Sequence, residues 1–241
     1  MNYLISIEYD GSKYNGLQKL KACKTVQGEL EDVLSKMEGK FVKAISSGRT
    51  DKGTHALDQK CQFHLEKKTT PYRLRYYINR STSPYLYVKE CSVINEANFH
   101  ARFSVKEKTY LYKINTGAYS AIQSDYVYNY NKSLDVDKIK KASKVLLGEH
   151  DYKAFVVGKH KTTNSAIYNI KITKENDMVY IEVSGKAFYT YMVRNIVSIL
   201  IHYSEGVIEL DDIKYMLNTQ KKSIEYAPVP ASGLYLKEIL Y

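Results

Sequence analysis

Apolar and polar positions along the chain fall into short segments with either a two-residue or a three-to-four-residue period, and these predict alternating strands and helices. Tyr3–Tyr9 reads as a strand. Val26–Met37 reads as a helix, because Val26, Leu30, Val33, Leu34 and Met37 share one face and Thr25 stands at the N-cap position. Phe41–Ile45 and Gln59–Leu65 read as strands, the second alternating through Cys61, Phe63 and Leu65. Pro71 opens a short helix ending near Asn79, and Tyr85–Ile94 is a fourth strand.

The same order then recurs. Thr109–Asn115 reads as a strand with Tyr110, Tyr112 and Ile114 on one face. Asp135 caps a helix running to about Leu147, and Ile167–Thr173 and Val179–Ser184 are strands joined by a polar turn at Asn176-Asp177. Ala187–Tyr203 reads as a long apolar helix, Asp211 caps a shorter one, and Leu234–Leu240 is a last strand. Two strand-helix-strand-strand-helix-strand halves predict an α+β protein of two ferredoxin-like (βαββαβ) halves with mainly antiparallel sheets. The join falls near Phe103–Lys106, giving an N-terminal domain over 1–105 and a C-terminal domain over 106–241. The halves share a pattern and no sequence identity.

Composition narrows the partners. The 241 residues are 44% hydrophobic, and no apolar run reaches the length of a membrane helix. The start, Met1-Asn2-Tyr3-Leu4-Ile5, lacks the basic and apolar regions of a signal peptide. Cys23, Cys61 and Cys91 are far apart and show no zinc-ligand spacing, which fits a reducing cytoplasm. The net charge of +10 suits an anionic partner, nucleic acid first, although lysine supplies most of it. Twenty-four tyrosines and no tryptophan fill strand positions and offer faces for stacking on bases. Lys67, Lys68, Arg73, Arg75 and Arg80 form one basic cluster, Lys138, Lys140, Lys141 and Lys144 a second, and Lys159 with Lys161 a third. Each can contact phosphates or simply be solvated.

One stretch departs from both periods: Ser47-Gly48-Arg49-Thr50-Asp51-Lys52-Gly53-Thr54-His55-Ala56. It reads as a loop in which a carboxylate lies between a cation and glycines that let a ligand approach. Neither His55 nor His100 is accompanied by a serine or cysteine nucleophile motif. Glu149-His150-Asp151 follows a helix end at Gly148, so its three side chains point different ways and predict no metal site.

This loop resembles the signature of the TruA family of tRNA pseudouridine synthases, Gly-Arg-Thr-Asp-Ala-Gly-Val-His-Ala, with Lys52 and Thr54 in place of the usual Ala and Val. Further blocks follow in the family's order: Glu8–Gln18, with Leu17 where the family usually has Trp; Phe99-His100-Ala101-Arg102-Phe103-Ser104; Lys108-Thr109-Tyr110-Leu111-Tyr112; Ala187–Asn195, ending Met192-Val193-Arg194-Asn195; and Ala227-Pro228 through Gly233-Leu234-Tyr235-Leu236.

The resemblance implies conversion of uridine to pseudouridine: the N1–C1′ bond breaks, the uracil turns, and C5 joins C1′. Nothing is oxidised and no group is lost, so the reaction calls for no cofactor and no metal. It needs a carboxylate, which by resemblance is Asp51. Attack at C1′, attack at C6 and formation of a glycal all remain open. By the same resemblance Arg194 pairs with Asp51 across a catalytic cleft between the halves; the residue-level alternative is an arginine reaching the surface at a helix edge. Tyr110 packs its ring against the target uracil, or is one more strand tyrosine. Arg49 binds a phosphate, fills the space left by an extruded base, or pairs with Asp51. Thr50, His55 and Arg102 join the substrate-binding set, while Leu234 and Leu236 line the uracil pocket or are core residues of the last strand. The implied partner is tRNA, modified at positions 38, 39 and 40 of the anticodon stem-loop by a homodimer with no membrane association. A paralogue acting on another RNA, a non-catalytic RNA-binding module and an RNA hydrolase using Asp51 and His55 are the competing readings.

Overall fold

The first strand, β1 (Asn2–Tyr9), places Tyr3, Ile5, Ile7 and Tyr9 on one buried face, as the two-residue period of a strand requires. In a computed structural model describing all 241 residues, the chain forms two compact units. One comprises Met1–Lys106 together with Tyr235–Tyr241; the other comprises Glu107–Leu234.

The first unit continues with α1 (Val26–Glu38), β2 (Ile45–Ser46), β3 (His55–His64), α2 (Pro71–Ser81) and β4 (Leu86–Val93). Thr25 caps α1 through its side chain, which accepts from the Gly28 N–H at 3.2 Å. β1 lies between β4 and β3, antiparallel to both, and β2 pairs antiparallel with β3, giving the βαββαβ order β4-β1-β3-β2. The buried faces of α1 (Leu30, Leu34) and α2 (Leu74, Ile78) complete the core with the inward side chains of the sheet. β2 is shorter than the expected Phe41–Ile45 strand, and Phe41 is exposed. Side chains of α1 take the backbone donors that a strand would use: Val42 N–H donates to Ser35 Oγ at 2.9 Å and Ala44 N–H to Glu31 Oε1 at 3.2 Å.

The second unit contains β5 (Glu107–Asn115), β6 (Tyr128–Asn129), α3 (Val136–Ser143), β7 (Gly148–Asp151), β8 (Asn164–Glu175), β9 (Met178–Gly185), α4 (Met192–Ser204) and α5 (Leu210–Thr219). Its strands run β5-β9-β8-β7, with every neighbouring pair antiparallel. β7 covers Glu149-His150-Asp151, a segment whose sequence pattern predicts no strand. α4 begins five residues later than the apolar run at Ala187 suggests. The Ala187 N–H donates to Ser165 Oγ, which in turn donates to the Ala187 carbonyl, and this pins the segment onto β8 before the helix can start. α5 is preceded by Glu209 rather than Asp211, and the Glu209 N–H donates to Asp212 at 2.9 Å.

The last strand, β10 (Leu234–Leu240), has the expected bounds but belongs, from Tyr235 onward, to the first unit. It runs parallel to the start of β3, with Tyr235 opposite His55 and Leu236 opposite Ala56. No helix is long and apolar enough to cross a membrane. All three cysteines are free thiols: Cys23 is exposed, and burial pushes Cys61 up to about 12 and Cys91 up to about 11.

Candidate active site

In the first unit the site is a loop held from below. The loop joins β2 to β3 and carries Asp51 half-buried, with Arg49 and Lys52 exposed on either side. Its backbone is fixed at several points. Ser47 N–H donates to the Lys60 carbonyl at 3.0 Å, and Gln59 Nε2 donates to the Gly48 carbonyl at 2.9 Å. Thr50 accepts through its carbonyl from Leu17 N–H at 3.1 Å, and its Oγ1 lies 2.7 Å from the Tyr9 hydroxyl. Thr54 N–H closes a turn onto the Asp51 carbonyl at 3.1 Å, with Gly53 at φ 81°. A β-carbon there would be strained, so the glycine of the signature is a backbone requirement.

The opening segment supports this loop. Asp10 caps a short turn over Gly11–Lys13, accepting from Ser12 N–H at 3.0 Å and from the Ser12 hydroxyl at 2.7 Å. Gly11 N–H donates to His55 Nδ1 at 3.1 Å. The Asp10 carboxylate also lies 3.4 Å from His55 Nδ1. His55 is 2% exposed and stacks on Tyr235 at 4.6 Å. Its ring is therefore committed to internal contacts with the opening segment and β10. Leu17, standing where the family has Trp, is also buried, with its backbone joining α1 to the Asp51 loop through Gln27 N–H and the Thr50 carbonyl.

Thr54 is buried and its hydroxyl has no hydrogen-bond partner. An unpaired buried hydroxyl costs about 1–3 kcal/mol. Thr54→Val, which restores the family's usual residue with the same shape, should raise stability by about 1 kcal/mol and the melting temperature by roughly 2–4 °C, with turnover unchanged. A calorimetric scan that showed a lower melting temperature would mean that the hydroxyl has a partner.

In the second unit three signature blocks come together. Arg194 lies in the first turn of α4, half-buried, with Nε donating to the Val229 carbonyl at 2.6 Å and its guanidinium carbon 4.6 Å from the Tyr191 ring centroid. Ser198 Oγ donates to the Ala227 carbonyl at 2.8 Å, which ties α4 to the Ala-Pro segment, and Asn195 Nδ2 donates to the Phe155 carbonyl, also at 2.8 Å, which ties it to the turn before β8. Tyr112 donates its hydroxyl to the Pro230 carbonyl at 2.7 Å; burial raises its pKa far above the ordinary tyrosine value, which keeps the donor protonated. Tyr110 is 7% exposed and meets the edge of Phe188 at 5.1 Å. Leu234 is buried in this unit, and Leu236 is buried in the other. Arg102 is exposed, its guanidinium over the ring of the exposed Phe103.

Motif reading singles out the loop, Tyr110 and Arg194 and says nothing of the contacts that hold them. The contacts made by Gly11, Tyr191 and Val229 are backbone and ring geometry with no sequence signal of their own; Asn195 is legible as part of its block. No group of three or more His, Cys, Asp or Glu side chains is placed to hold a metal ion.

Comparison with known sequences defines the class. The pattern of a family described as tRNA pseudouridine synthase matches residues 142–241. Over its full length the chain is 37% identical to tRNA pseudouridine synthase A of Malacoplasma penetrans, with 100% of each chain covered. It is 35% identical to tRNA pseudouridine synthase A 2 of a Bacillus cereus strain, over 99% of this chain and 98% of that one. It is 37% identical to tRNA pseudouridine synthase A 1 of Clostridium tetani, over 100% and 99%. The chain belongs to the tRNA pseudouridine synthase A family, called TruA.

Proposed function

We propose that this protein isomerises uridine to pseudouridine at positions 38, 39 and 40 of the tRNA anticodon stem-loop, with Asp51 as the nucleophile. The observation that carries this reading is the anchoring of the Asp51 loop: backbone bonds at Ser47, Gly48, Thr50 and Thr54 hold a half-buried carboxylate in a chain of this family. In the proposed reaction the carboxylate promotes loss of the N1–C1′ bond, by attack at C1′, attack at C6 or formation of a glycal. C5 then joins C1′, the C5 proton leaves to solvent, and N1 gains a proton. Arg194 holds the carboxylate's rotamer and keeps it ionised, Tyr110 packs against the uracil, and Arg49 offsets part of the cost of extruding the base. The enzyme acts in the cytoplasm as a homodimer across which one tRNA lies. The direct assay uses tRNA transcripts carrying tritium at uracil C5, since the new C–C bond must expel that atom. Release to water is the expected result. No release from any tRNA, with tight salt-dependent binding retained, points instead to a non-catalytic RNA-binding protein.

The basic surface has a separate test. Helix α2 carries Arg73, Arg75 and Arg80 and no acidic residue, and it exposes Arg73, Arg80, Tyr72 and Tyr76. Removing two phosphate contacts with Arg73→Ala and Arg80→Ala should raise the KM for tRNA and lower the salt slope of binding by about 2, with kcat unchanged. An unaltered slope would make these arginines solvated bystanders.

A further inference from the structure

Tyr191 sits immediately before α4 with φ 62° and ψ 2°, a left-handed conformation. Five residues other than glycine have positive φ: Ala22, Asn131, Asn176, Tyr191 and Gln220. Asparagine tolerates that region, whereas a bulky aromatic residue enters it only when its surroundings impose it. The helix start does not need this side chain. Tyr191 makes no side-chain cap bond, and the bond from Asn195 N–H to its carbonyl, at 2.9 Å, is available to any residue. The left-handed turn does put the ring 4.6 Å from the guanidinium carbon of Arg194. The Val229 carbonyl also constrains that group, accepting from Nε at 2.6 Å.

We infer that Tyr191 is a positioning residue for the isomerisation, fixing the plane of the Arg194 guanidinium from below while Val229 fixes its Nε edge. A planar guanidinium has a side-on fork that uses Nε and an end-on fork of the two Nη groups. With Nε engaged by a carbonyl and one face covered by a ring, the end-on fork is the one presented to a carboxylate. The backbone strain at Tyr191 is then the cost of placing an aromatic face where a relaxed helix start would place none. This inference rests on the reading that Arg194 partners Asp51.

Two kinds of variant separate the ring from the turn. Tyr191→Gly and Tyr191→Asn both accept the left-handed backbone and lack the ring, and Tyr191→Phe keeps the ring. In the tritium-release assay, Tyr191→Gly and Tyr191→Asn should melt within a few degrees of the parent, lose roughly tenfold to a hundredfold in kcat and keep the parental KM for tRNA. Tyr191→Phe should retain parental turnover. In an Arg194→Lys background, which lacks the planar fork, Tyr191→Gly should cause no further loss. Parental kcat in both ring-less variants while Arg194→Lys is impaired overturns the inference, as does a Tyr191→Phe variant as slow as Tyr191→Gly, or a loss that adds fully to that of Arg194→Lys. Parental turnover by Arg194→Lys and Arg194→Ala would instead remove the reading on which it rests.

Discussion

Asp51→Asn should abolish tritium release, lowering kcat by roughly a thousandfold or more, while the Kd for tRNA stays within about twofold of the parent. The reason lies in how the loop is held. Its path is fixed by the Ser47 N–H, the Gly48, Thr50 and Asp51 carbonyls, the Thr54 N–H and the Thr50 hydroxyl. Asparagine has nearly the same shape, so the loop keeps its path and the RNA keeps its phosphate contacts. What changes is chemistry: an amide neither attacks a sugar or base nor stabilises a glycosyl cation as a carboxylate does. Equilibrium binding measured beside single-turnover release separates the two effects. Release that survives in Asp51→Asn assigns the nucleophile elsewhere; release and binding lost together mean the substitution has disturbed the loop.

The second large effect is expected far from any charged group. A β-carbon on Gly11 would lie 2.0 Å from the Thr54 carbonyl oxygen and 2.9 Å from the His55 nitrogen, both backbone atoms. Neither can rotate away, because His55 and Ala56 are already paired to Tyr235 and Leu236 and Ala56 also to Tyr9. Gly11→Ala therefore pushes the opening segment and the loop apart and breaks the Gly11–His55 bond, leaving a buried donor and acceptor unmatched. The expected cost is about 3 kcal/mol, a fall in melting temperature of roughly 6–12 °C. Below that melting temperature kcat should also drop, because Thr54 closes the turn that carries Asp51. A Gly11→Ala protein that melts and turns over like the parent would show that the two segments can separate freely.

Much of this molecule is legible in its sequence, for reasons that differ by element. α1 is readable because its apolar face and its threonine cap agree, and β10 because Leu234–Leu240 is a mostly apolar run that follows a glycine. Phe41–Ile45 has strand composition, yet its donors go to Ser35 and Glu31, a tertiary choice no local pattern reveals. Ala187–Tyr191 has helix composition, and two bonds to Ser165 divert it. At the candidate site the polar residues stand out because glycines and loop composition isolate them. Their supports do not stand out, since a buried histidine accepting from a glycine N–H, or a tyrosine in a left-handed turn, looks like any other histidine or tyrosine in a row of letters.

Tyr235–Tyr241 complete the first unit although the whole second unit lies between them and the rest of it. Bringing those ends together requires closing a very long loop, which is slow relative to local pairing. During synthesis, β1 through β4 can form while β3 still lacks β10 and His55 lacks the ring it stacks on. The His55 end of the loop that carries Asp51 thus gains its last neighbour only after the second unit has been made, and chains interrupted before Tyr235 would hold every signature residue of that loop without the ring that stacks on His55.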